Sequence, residues 1–330
     1  MLGSTPNDTS TLGFCVHDLV EYAASRFYDK IALICANKSL TFGALNCLSN
    51  QLALSLVDRG IGRGKIVAIA LERSPGLVVA LLAVLKAGAA SLPLDPVFPN
   101  ECLRRMLDDA SPNCVLVDST STDLFTPWKD ICLDIDDIRG MPTVARNPNR
   151  DVHVADLACI TYSPGPSGRS RAVRVTHGAV SNILCSAMRE LGCSERDRLL
   201  AITTVCSGMA VLEVFLPLLC GACLVIAPTP DISTPKALLD LMRQHQITTM
   251  QATPMIWQIL LDHGLQKNPR LTNLISNGDK LPQKLAQNLL SCANSVWNLY
   301  QPTKTAICSS FQSVEKSNGD VKFEYLQEKL

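Results

Sequence analysis

The sequence has no excess of charge of either sign and few charged residues altogether. Its 330 residues carry 30 lysines and arginines against 30 aspartates and glutamates, so the formal net charge at pH 7 is zero, and charged residues make up 18% of the chain. Nucleic acid and anionic membranes attract proteins through a surplus of positive charge. The composition therefore argues against both kinds of partner.

Apolar runs of membrane-spanning length are not found either. The run from Leu77 to Leu85 ends at Lys86, far short of the roughly 18 residues that a spanning helix needs, and it predicts a buried helix instead. Met1 to Asn7 have no basic lead and no apolar run behind them, so no secretory signal is seen. We expect a cytoplasmic protein.

Closely spaced pairs of cysteines are also scarce, although the chain has 14 cysteines. They are scattered singly through apolar segments, which favours buried free thiols over a disulfide framework. The one close pair, Cys220 and Cys223, has no second pair or histidine cluster at metal-ligand spacing. A zinc or redox role for this pair is not expected.

What the sequence does contain is an alternation of short aliphatic runs with longer segments of helical spacing, which predicts parallel βα units and an α/β fold. The predicted strands are Ile66 to Leu71, Cys114 to Val117, Leu157 to Tyr162, Leu199 to Thr203, Cys223 to Ala227, Thr248 to Ala252, Leu271 to Ser276 and Val296 to Tyr300. The predicted helices are Ala44 to Asp58, Gly76 to Ala87, Glu101 to Asp109, His177 to Glu190, Met209 to Leu219, Pro235 to Gln244, Met255 to Asp262 and Gln283 to Ala293.

Composition divides the chain into three parts. Gly140 to Asp151 is rich in proline, asparagine and arginine and has almost no apolar residue, which indicates a surface link. We therefore predict a first α/β subdomain at residues 1–150 and a second at residues 151–310. Residues 311–330 hold seven charged residues, which predicts a solvated tail.

The most informative segment is the loop at residues 162–173. It follows a predicted strand, precedes a predicted helix, and combines glycines and serines with Arg169 and Arg171. Small residues let backbone amides face an anion, and arginine adds positive charge, so the loop can hold a nucleotide triphosphate. It matches neither the P-loop nor the dinucleotide fingerprint, and a plain surface turn is the alternative on this motif alone.

Four segments in succession favour the nucleotide interpretation. They are Leu40 to Leu45, Leu85 to Pro96, the loop at 162–173 with His177 behind it, and Asn298 to Thr303. In this order they resemble the core motifs of acyl-adenylating enzymes, and more closely the adenylation domain of nonribosomal peptide synthetases, over nearly the whole chain up to Ser309. The resemblance implies the large N-terminal domain of the acyl-adenylate-forming fold, with two βα-layered subdomains and the phosphate loop in the second.

This family joins ATP to a carboxylic acid, releases pyrophosphate, and passes the acyl group to a thiol. The resemblance therefore implies ATP and Mg²⁺ as cofactors, an acyl acid as substrate, a carrier protein as partner, and a role in secondary-metabolite biosynthesis. A mobile C-terminal domain of the family supplies a lysine that stabilises the transition state. No motif of that domain follows Cys308, so the resemblance implies a chain without its catalytic lysine and without its lid domain.

The resemblance also assigns a nucleotide site, and this sequence departs from the family pattern within it. The assigned residues are Ser163, Gly165, Ser167, Gly168, Arg171, Asn298, Tyr300 and Thr303. Pro164 and Pro166 each remove a backbone amide where the anion should be held, and Arg171 replaces a lysine. Lys304 replaces the glutamate that helps to hold magnesium, so we expect weak triphosphate binding and no metal ligand at this position.

The acyl pocket implied by the resemblance is mainly apolar. Its residues are Gly208, Met209, Leu212, Gln251, Ile275, Asn277, Leu299, Ile307 and Cys308. Gly208 stands where amino-acid-activating members carry the aspartate that pairs with the substrate ammonium. Because a buried unpaired ammonium is unfavourable, an aryl, hydroxy or fatty acid is expected rather than an α-amino acid; plain core residues at strand ends are the alternative.

Four hypotheses about activity follow from these departures. The first is a truncated, diverged adenylation domain that is inactive or weak alone. The second is one half of a split ligase completed by a separate C-terminal domain. The third is a pseudoenzyme that acts as a binding or scaffold protein, and the fourth is a nonfunctional gene remnant.

Three smaller predictions concern single residues outside the loop. His177 begins a helix and has no evident carboxylate partner, so we expect capping or packing rather than acid–base chemistry. His17 stands apart from the other histidines in sequence and is expected at a surface or satisfied position. Asp95 precedes Pro96 and is assigned to a turn.

Overall fold

The computed structural model describes residues 13–138, 144–148, 150–163, 171–300, 307, 310–317 and 320–325. Within these ranges the chain forms two β-sheets with helices on both sides of each. The helices are α1 (Val16–Arg26), α2 (Phe42–Asp58), α3 (Pro75–Lys86), α4 (Asn100–Ala110), α5 (His177–Glu190), α6 (Gly208–Cys220), α7 (Thr229–Ile232), α8 (Pro235–Gln244), α9 (Pro254–Asp262) and α10 (Gln283–Leu289).

The smaller sheet has six strands and is mostly parallel. Its strands are β3 (Ile66–Ile69), β4 (Ala90–Pro93), β5 (Cys114–Val117), β6 (Cys132–Asp134), β7 (Leu157–Ser163) and β8 (Arg171–Thr176). They lie in the order β6-β5-β3-β4-β7-β8, and only the edge strand β8 is antiparallel to its neighbour. Parallel strands must be joined by crossovers, and the helices between these strands provide them.

The larger sheet has nine strands, with antiparallel strands at both edges. Its strands are β1 (Ile31–Cys35), β2 (Lys38–Thr41), β9 (Arg198–Ala201), β10 (Cys223–Ile226), β11 (Thr249–Ala252), β12 (Asn273–Ser276), β13 (Ser295–Tyr300), β14 (Ser310–Ser317) and β15 (Asp320–Tyr325). The order is β15-β14-β13-β12-β11-β9-β10-β1-β2, with parallel pairing from β1 to β13 across the centre. The α/β fold predicted from the sequence is confirmed.

Polar residues at the helix starts explain where several helices begin. The side chains of Thr41, Ser74 and Thr176 accept hydrogen bonds from backbone amides three residues later, at 3.1, 3.3 and 3.3 Å. Such caps satisfy amides that have no partner inside the helix. Pro75 then occupies the first turn of α3, where its missing amide costs nothing.

A layer of helices between the two sheets carries the main apolar core. The helices α1, α2, α3, α5 and α6 pack against one another, and their buried side chains meet residues of both sheets. Every residue of α3 from Leu77 to Lys86 is buried, which confirms the predicted buried helix. The outer faces of the sheets are covered by α8, α9 and α10 on the larger one and by α4 on the smaller one.

The predicted solvated tail is wrong for the described residues beyond 309. Strands β14 and β15 form an antiparallel hairpin that continues the larger sheet from β13. Phe311, Val314 and Val321 are buried there. Phe311 packs in the core between the two sheets, and Val314 and Val321 pack on the other face of the larger sheet. Among the described charged residues that suggested a tail, Glu315, Lys316 and Lys322 are exposed on these strands.

The division of the chain near residue 150 stays a prediction, and neither sheet is confined to one side of it. Strands β1 and β2 precede residue 150 and belong to the larger sheet, whereas β7 and β8 follow it and belong to the smaller one.

The described cysteines are free thiols, and Cys15, Cys159 and Cys220 are among the buried ones. No helix in the described ranges is long and apolar enough to cross a bilayer.

Candidate functional site

The segment predicted to hold phosphate joins two strands rather than a strand and a helix. Strands β7 and β8 pair in antiparallel fashion, with Ser163 opposite Arg171, and α5 begins only at His177. The sequence prediction missed β8, whose outer positions are exposed at a sheet edge. The pairing brings Ser163 and Arg171 side by side at the two ends of the loop, which keeps Arg171 at its base.

Tyr162 fixes the strand that enters this loop. Its hydroxyl donates a hydrogen bond to Asp109 Oδ2 at 2.7 Å and lies 3.1 Å from the carbonyl of Met106 in α4. Burial, followed by the neighbouring Asp109, raises the pKa of the phenol, so the hydroxyl keeps its proton for this bond at neutral pH. The entry to the loop is thereby attached to a helix of the smaller sheet.

Several predicted site residues lie outside the described residues. These are Gly165, Ser167, Gly168, Thr303, Lys304 and Cys308, together with the prolines at 164 and 166. Ser163 and Tyr300 are placed as the last residues of β7 and β13. The described backbone of the nucleotide set therefore comes from both sheets.

Most of the predicted acyl-pocket residues converge in one buried region. Gly208 and Met209 start α6, and the strand residues Gln251, Ile275 and Leu299 lie on β11, β12 and β13. Ile275 is the register partner of Gln251, so their side chains share one face of the larger sheet. Met209, Leu212, Ile275, Leu299 and Ile307 all belong to the core between the two sheets. Asn277, directly after β12, is also buried.

Asn298 lies on the other face of the sheet from this set. It neighbours Leu299 in β13, and consecutive strand residues point in opposite directions. Its Nδ2 donates to Gln312 Oε1 at 2.7 Å, across the pair between β13 and β14. This bond gives Asn298 a role in pairing the hairpin to the sheet, and its assignment to the nucleotide site stays a prediction.

Glu213 is the buried acid next to the acyl set, and the sequence prediction missed it. Its carboxylate accepts hydrogen bonds from the backbone amides of Ile202 and Thr203, at 3.2 and 2.9 Å, and from the Thr203 hydroxyl at 2.6 Å. Burial raises the pKa of Glu213 to about 7, in spite of these donors. The sequence signal for Glu213 was a single acidic residue within the apolar run of α6. A buried carboxylate needs hydrogen-bond or charge partners, so such a residue indicates a polar site inside the core.

Two further residues that the sequence prediction left without a site role join the two sheets beside Glu213. Arg73, which follows β3, donates to the carbonyls of Ala201, Thr203 and Ala227 at 2.6, 2.6 and 2.9 Å. These carbonyls belong to β9 and to the segments that follow β9 and β10. Because an arginine fork fills three carbonyl sites at once, this one side chain fixes the smaller sheet against the larger one.

Asp95 makes a second link at the same place. Its Oδ1 accepts from the amide of Val97 at 3.2 Å, which confirms the predicted turn. Its Oδ2 accepts from the Thr204 hydroxyl at 2.7 Å. The turn after β4 is thereby attached to the segment that leads into α6 and Gly208.

His177 packs in the interior, as predicted. It is fully buried, and its ring meets that of His17 edge to face, with the ring centroids 5.4 Å apart. Of the two settings expected for His17, a surface position is wrong, because only 7% of its surface is exposed and its ring contacts that of His177. Burial lowers the pKa of each imidazole to about 4, so both rings are neutral at pH 7.

At the position that the family resemblance indicates for a magnesium ligand, the sequence has Lys304, which lies outside the described residues, so the absence of a metal ligand there stays a prediction. A lysine ammonium at residue 304 has no free lone pair and repels a cation. Within the described ranges no group of three or more histidine, cysteine, aspartate or glutamate side chains could hold a metal ion.

Comparisons with known proteins agree with the α/β fold described above and with the family resemblance of the sequence. The family model described as AMP-binding enzyme matches residues 20–324, so the match continues past Cys308, where the sequence resemblance was expected to stop. The chain is 40% identical over 313 residues to the PKS-NRPS hybrid synthetase acdB of Aspergillus candidus, covering 94% of this chain and 12% of that synthetase. This chain thus spans about an eighth of that relative's length.

Two solved structures of nonribosomal peptide synthetases have the same fold. FmoA3 superimposes with a TM-score of 0.85 at 25% identity, covering 92% of this chain and 33% of that one. The four-domain synthetase holo-AB3403, bound to AMP and glycine, has a TM-score of 0.82 at 29% identity, with coverages of 93% and 23%. The chain belongs to the family of AMP-binding enzymes, and it resembles the adenylation domains of nonribosomal peptide synthetases.

Proposed function

We propose that this chain is the acid- and nucleotide-binding part of an adenylation domain in a secondary-metabolite synthetase. The reaction is attack of a carboxylate oxygen on the α-phosphorus of ATP. The bond from that phosphorus to the bridging oxygen breaks, pyrophosphate leaves, and an acyl-AMP forms. The buried, mainly apolar residues beside the start of α6 support this proposal, since they lie near the carboxyl ends of parallel strands, where open α/β sheets bind ligands.

The proposed substrate is a carboxylic acid without an α-ammonium group. Gly208 has no side chain with which to pair an ammonium. Glu213 is the buried acid nearest in sequence, and both of its oxygens already accept hydrogen bonds from residues 202 and 203. An ammonium placed here would be buried without an anionic partner, which costs several kcal/mol. An aryl, hydroxy or fatty acid avoids this cost.

The proposed nucleotide site is a weakened one. The triphosphate would lie at the loop between β7 and β8, with Arg171 at its base. Prolines at 164 and 166 cannot donate amide hydrogen bonds to the phosphates. Lys304 supplies a positive charge close to the later motif, and it cannot replace a metal ligand. We expect binding of adenine nucleotide with little or no acyl-AMP formation by the 330-residue chain.

The direct test measures acid binding and turnover separately on the purified chain. Isothermal titration in the presence of AMP compares 3-phenylpropanoic acid with phenylalanine, which differ by the α-ammonium. We expect the former to bind at least tenfold more tightly. Pyrophosphate exchange with the same acids should stay near background, and robust, acid-dependent exchange would overturn the weak-activity part of the proposal.

A single substitution tests whether the preference for 3-phenylpropanoic acid over phenylalanine depends on residue 208 or on a general loss of binding. Gly208→Asp restores a carboxylate at the start of α6 and should raise the affinity for phenylalanine relative to 3-phenylpropanoic acid. Gly13→Asp is the matched control, because Gly13 is exposed and has no heavy atom within 4 Å of a built Cβ. Equal or tighter binding of phenylalanine by the unsubstituted chain would contradict the proposed substrate class.

A further inference from the structure

Two cysteines that are well separated in sequence meet at the wall of a surface cavity. The cavity has a volume of about 590 Å³, lies between α1, α5 and the end of α6, and is lined by both Cys193 and Cys220. Cys193 is partly exposed, whereas Cys220 is buried with 8% of its surface exposed. Small-molecule sites in proteins have volumes of roughly 300–1,000 Å³. The cavity is therefore large enough to bring a small molecule to the two thiols.

The side chains of the two cysteines are in contact. A hydrogen bond with the Cys193 side chain, followed by burial, raises the pKa of Cys220 well above its ordinary value. A bond with this effect favours the protonated form, so the Cys220 thiol donates to the Cys193 sulfur. A disulfide holds its two β-carbons about 3.5–4.5 Å apart. Thiols already in contact are close to the arrangement that a disulfide requires.

The partner of Cys220 in the structure is not the cysteine that sequence spacing suggests. Cys220 belongs to the core between the two sheets, whereas Cys223 belongs to the core on the other face of the larger sheet. The Cys223 thiol donates instead to the Leu224 carbonyl at 3.9 Å. Cys220 and Cys223 therefore lie on opposite sides of the sheet.

A metal site does not account for these thiols. Cys185 of α5 is a third thiol near Cys220 and contributes to its raised pKa. Within the part of the chain that the structure describes, however, no group of three or more cysteine, histidine or acidic side chains could hold a metal ion. Thiol–disulfide exchange is the chemistry that fits two thiols in contact at a cavity.

The charged side chains at the cavity favour an anionic reagent. Arg26 and Arg189 line it, and Glu195 is the single acid among the described lining residues. Arg26 is exposed, and its guanidinium lies 5.3 Å from the centroid of the Phe27 ring. Guanidinium groups bind carboxylates through charge-assisted hydrogen bonds. A reagent that carries carboxylates would thus be held beside the thiols.

We propose that Cys193 and Cys220 form a redox-active thiol pair whose reagent is a low-molecular-weight disulfide with carboxylate groups, such as glutathione disulfide. The more exposed Cys193 attacks one sulfur of the reagent; the S–S bond of the reagent breaks, and one thiol leaves with the proton that Cys193 gave up. The Cys220 sulfur then attacks the Cys193 sulfur and releases the second thiol with the second proton. Two protein thiols are oxidised to one disulfide, and one reagent disulfide is reduced to two thiols. No residue assigned to the acyl or nucleotide set takes part, so the inference is independent of the proposed function.

The test treats the purified, reduced chain with glutathione disulfide and follows each cysteine by alkylation and peptide mass spectrometry. We expect the loss of two alkylatable thiols, Cys193 and Cys220, recovered as one linked pair of peptides, and the return of both thiols with dithiothreitol. Absence of reaction at Cys193, a glutathione adduct that persists on Cys193, or a bond from Cys193 to Cys185 would each overturn the proposal.

Two serine variants separate the roles of the two thiols. Cys220→Ser should trap Cys193 as a stable mixed disulfide with glutathione, because the second step has lost its sulfur. Cys193→Ser should leave Cys220 as a free thiol, because the buried sulfur has lost the exposed one that reacts first. Cys223→Ser makes the same chemical change on the other face of the sheet and should keep the Cys193–Cys220 bond. Failure of Cys220→Ser to accumulate the adduct would contradict the proposed order of steps.

A change of charge tests the class of reagent. Arg26→Gln should slow the loss of the Cys193 thiol with glutathione disulfide by about twofold to fivefold, the range of an exposed ion pair. The same variant should react at an unchanged rate with the uncharged 2-hydroxyethyl disulfide. Arg104→Gln, at an exposed position of α4, is the matched control and should change neither rate. An Arg26→Gln rate with glutathione disulfide equal to that of the unsubstituted chain would overturn the preference for an anionic reagent.

Discussion

The imidazoles of His17 and His177 form a buried pair, and the backbone amide of Val16 lies 3.4 Å from His177 Nδ1. Burial is the main cause of the low pKa, about 4, of both rings; Lys86 adds to it for His17 and His17 adds to it for His177. Asp18 lies 3.5 Å from His17 and acts in the opposite direction on His177 without cancelling the burial. The ring contact joins α1 to α5, and burial there disfavours the charged form of either ring.

This pair predicts a loss of stability on mild acidification. In the unfolded chain the imidazoles take up protons below their ordinary pKa of 6.5, whereas the folded pair resists protonation down to about 4. The contribution to the free energy of unfolding is therefore complete above pH 6.5 and falls steadily towards pH 4, by at most about 3 kcal/mol per ring. Urea unfolding at pH 7.5, 6.5, 5.5 and 4.5 measures it.

The controls for the histidine prediction are histidine-to-glutamine changes. His177→Gln should lower stability at pH 7.5 and reduce its slope between pH 6.5 and 4.5. His153→Gln, at an exposed side chain, should leave that slope unchanged. An equally steep profile in His177→Gln would show that other groups cause the acid sensitivity.

Lys86 predicts a large effect from a single removed charge. It is fully buried, and its Nζ lies 2.9 Å from Glu21 Oε1 and donates to the side-chain oxygens of Asn46 and Asn50 at 2.6 Å. Lys86→Met should lower the free energy of unfolding by about 3–5 kcal/mol, because Glu21, whose side chain is 17% exposed, then loses its counterion.

A double substitution tests this explanation. Lys86→Met combined with Glu21→Gln removes both charges and should recover part of the loss in urea unfolding. A double variant no more stable than Lys86→Met alone would contradict the proposed cost of an unpaired Glu21.

A side chain at Gly221 is expected to lower stability through a steric overlap. The same substitution at Gly192, which has no such overlap, measures the cost of the backbone conformation alone. It ends α6 with a φ of +71°, and a Cβ built there overlaps the Phe27 ring. Gly192 has a φ of +61° and nothing within 4 Å of its built Cβ. Gly192→Ala should cost about 1–2 kcal/mol from the left-handed conformation alone, and Gly221→Ala about 1–3 kcal/mol more from the overlap. Equal melting shifts would argue against the Phe27 contact.

Replacing the two prolines of the phosphate loop is expected to raise the affinity for nucleotide. Replacing Pro164 with Ser and Pro166 with Thr restores two amide donors. Hydrogen bonds to charged groups contribute about 1.5–3 kcal/mol each, so the affinity for a non-hydrolysable ATP analogue should rise about a hundredfold or more. Pro112→Ser, between α4 and β5, is the control. Unchanged affinity in the double variant would place the nucleotide elsewhere.

Much of the fold could be predicted because its central strands and helices have strong periodic patterns. Cys114–Val117 and Pro235–Gln244 agree with the prediction at both ends. Strand β4, Ala90–Pro93, was missed because alanine, serine and proline carry little strand preference. Strands β14 and β15 were missed because their charges suggested solvent, although Val321 and Phe323 alternate with polar residues as a sheet requires.

The candidate site was predictable only in part. A motif can locate Gly208 and Gln251 along the chain, but it contains no information on the hydrogen bonds that the buried Glu213 accepts beside them. The contacts of Arg73 could not be predicted from the sequence for a related reason. Its three hydrogen-bond acceptors lie 128 or more residues away along the chain. Contacts of this kind depend on how the sheets meet, which periodicity does not report.

The pairing of β1 with β10 ties Leu33 to Leu224 across more than half of the sequence. Exchanging the acid-binding half for that of a related synthetase by a cut near residue 150 would leave the β1–β2 hairpin beside foreign strands. Grafts that carry residues 31–41 together with their new neighbours should express as soluble protein more often than grafts that leave this hairpin behind.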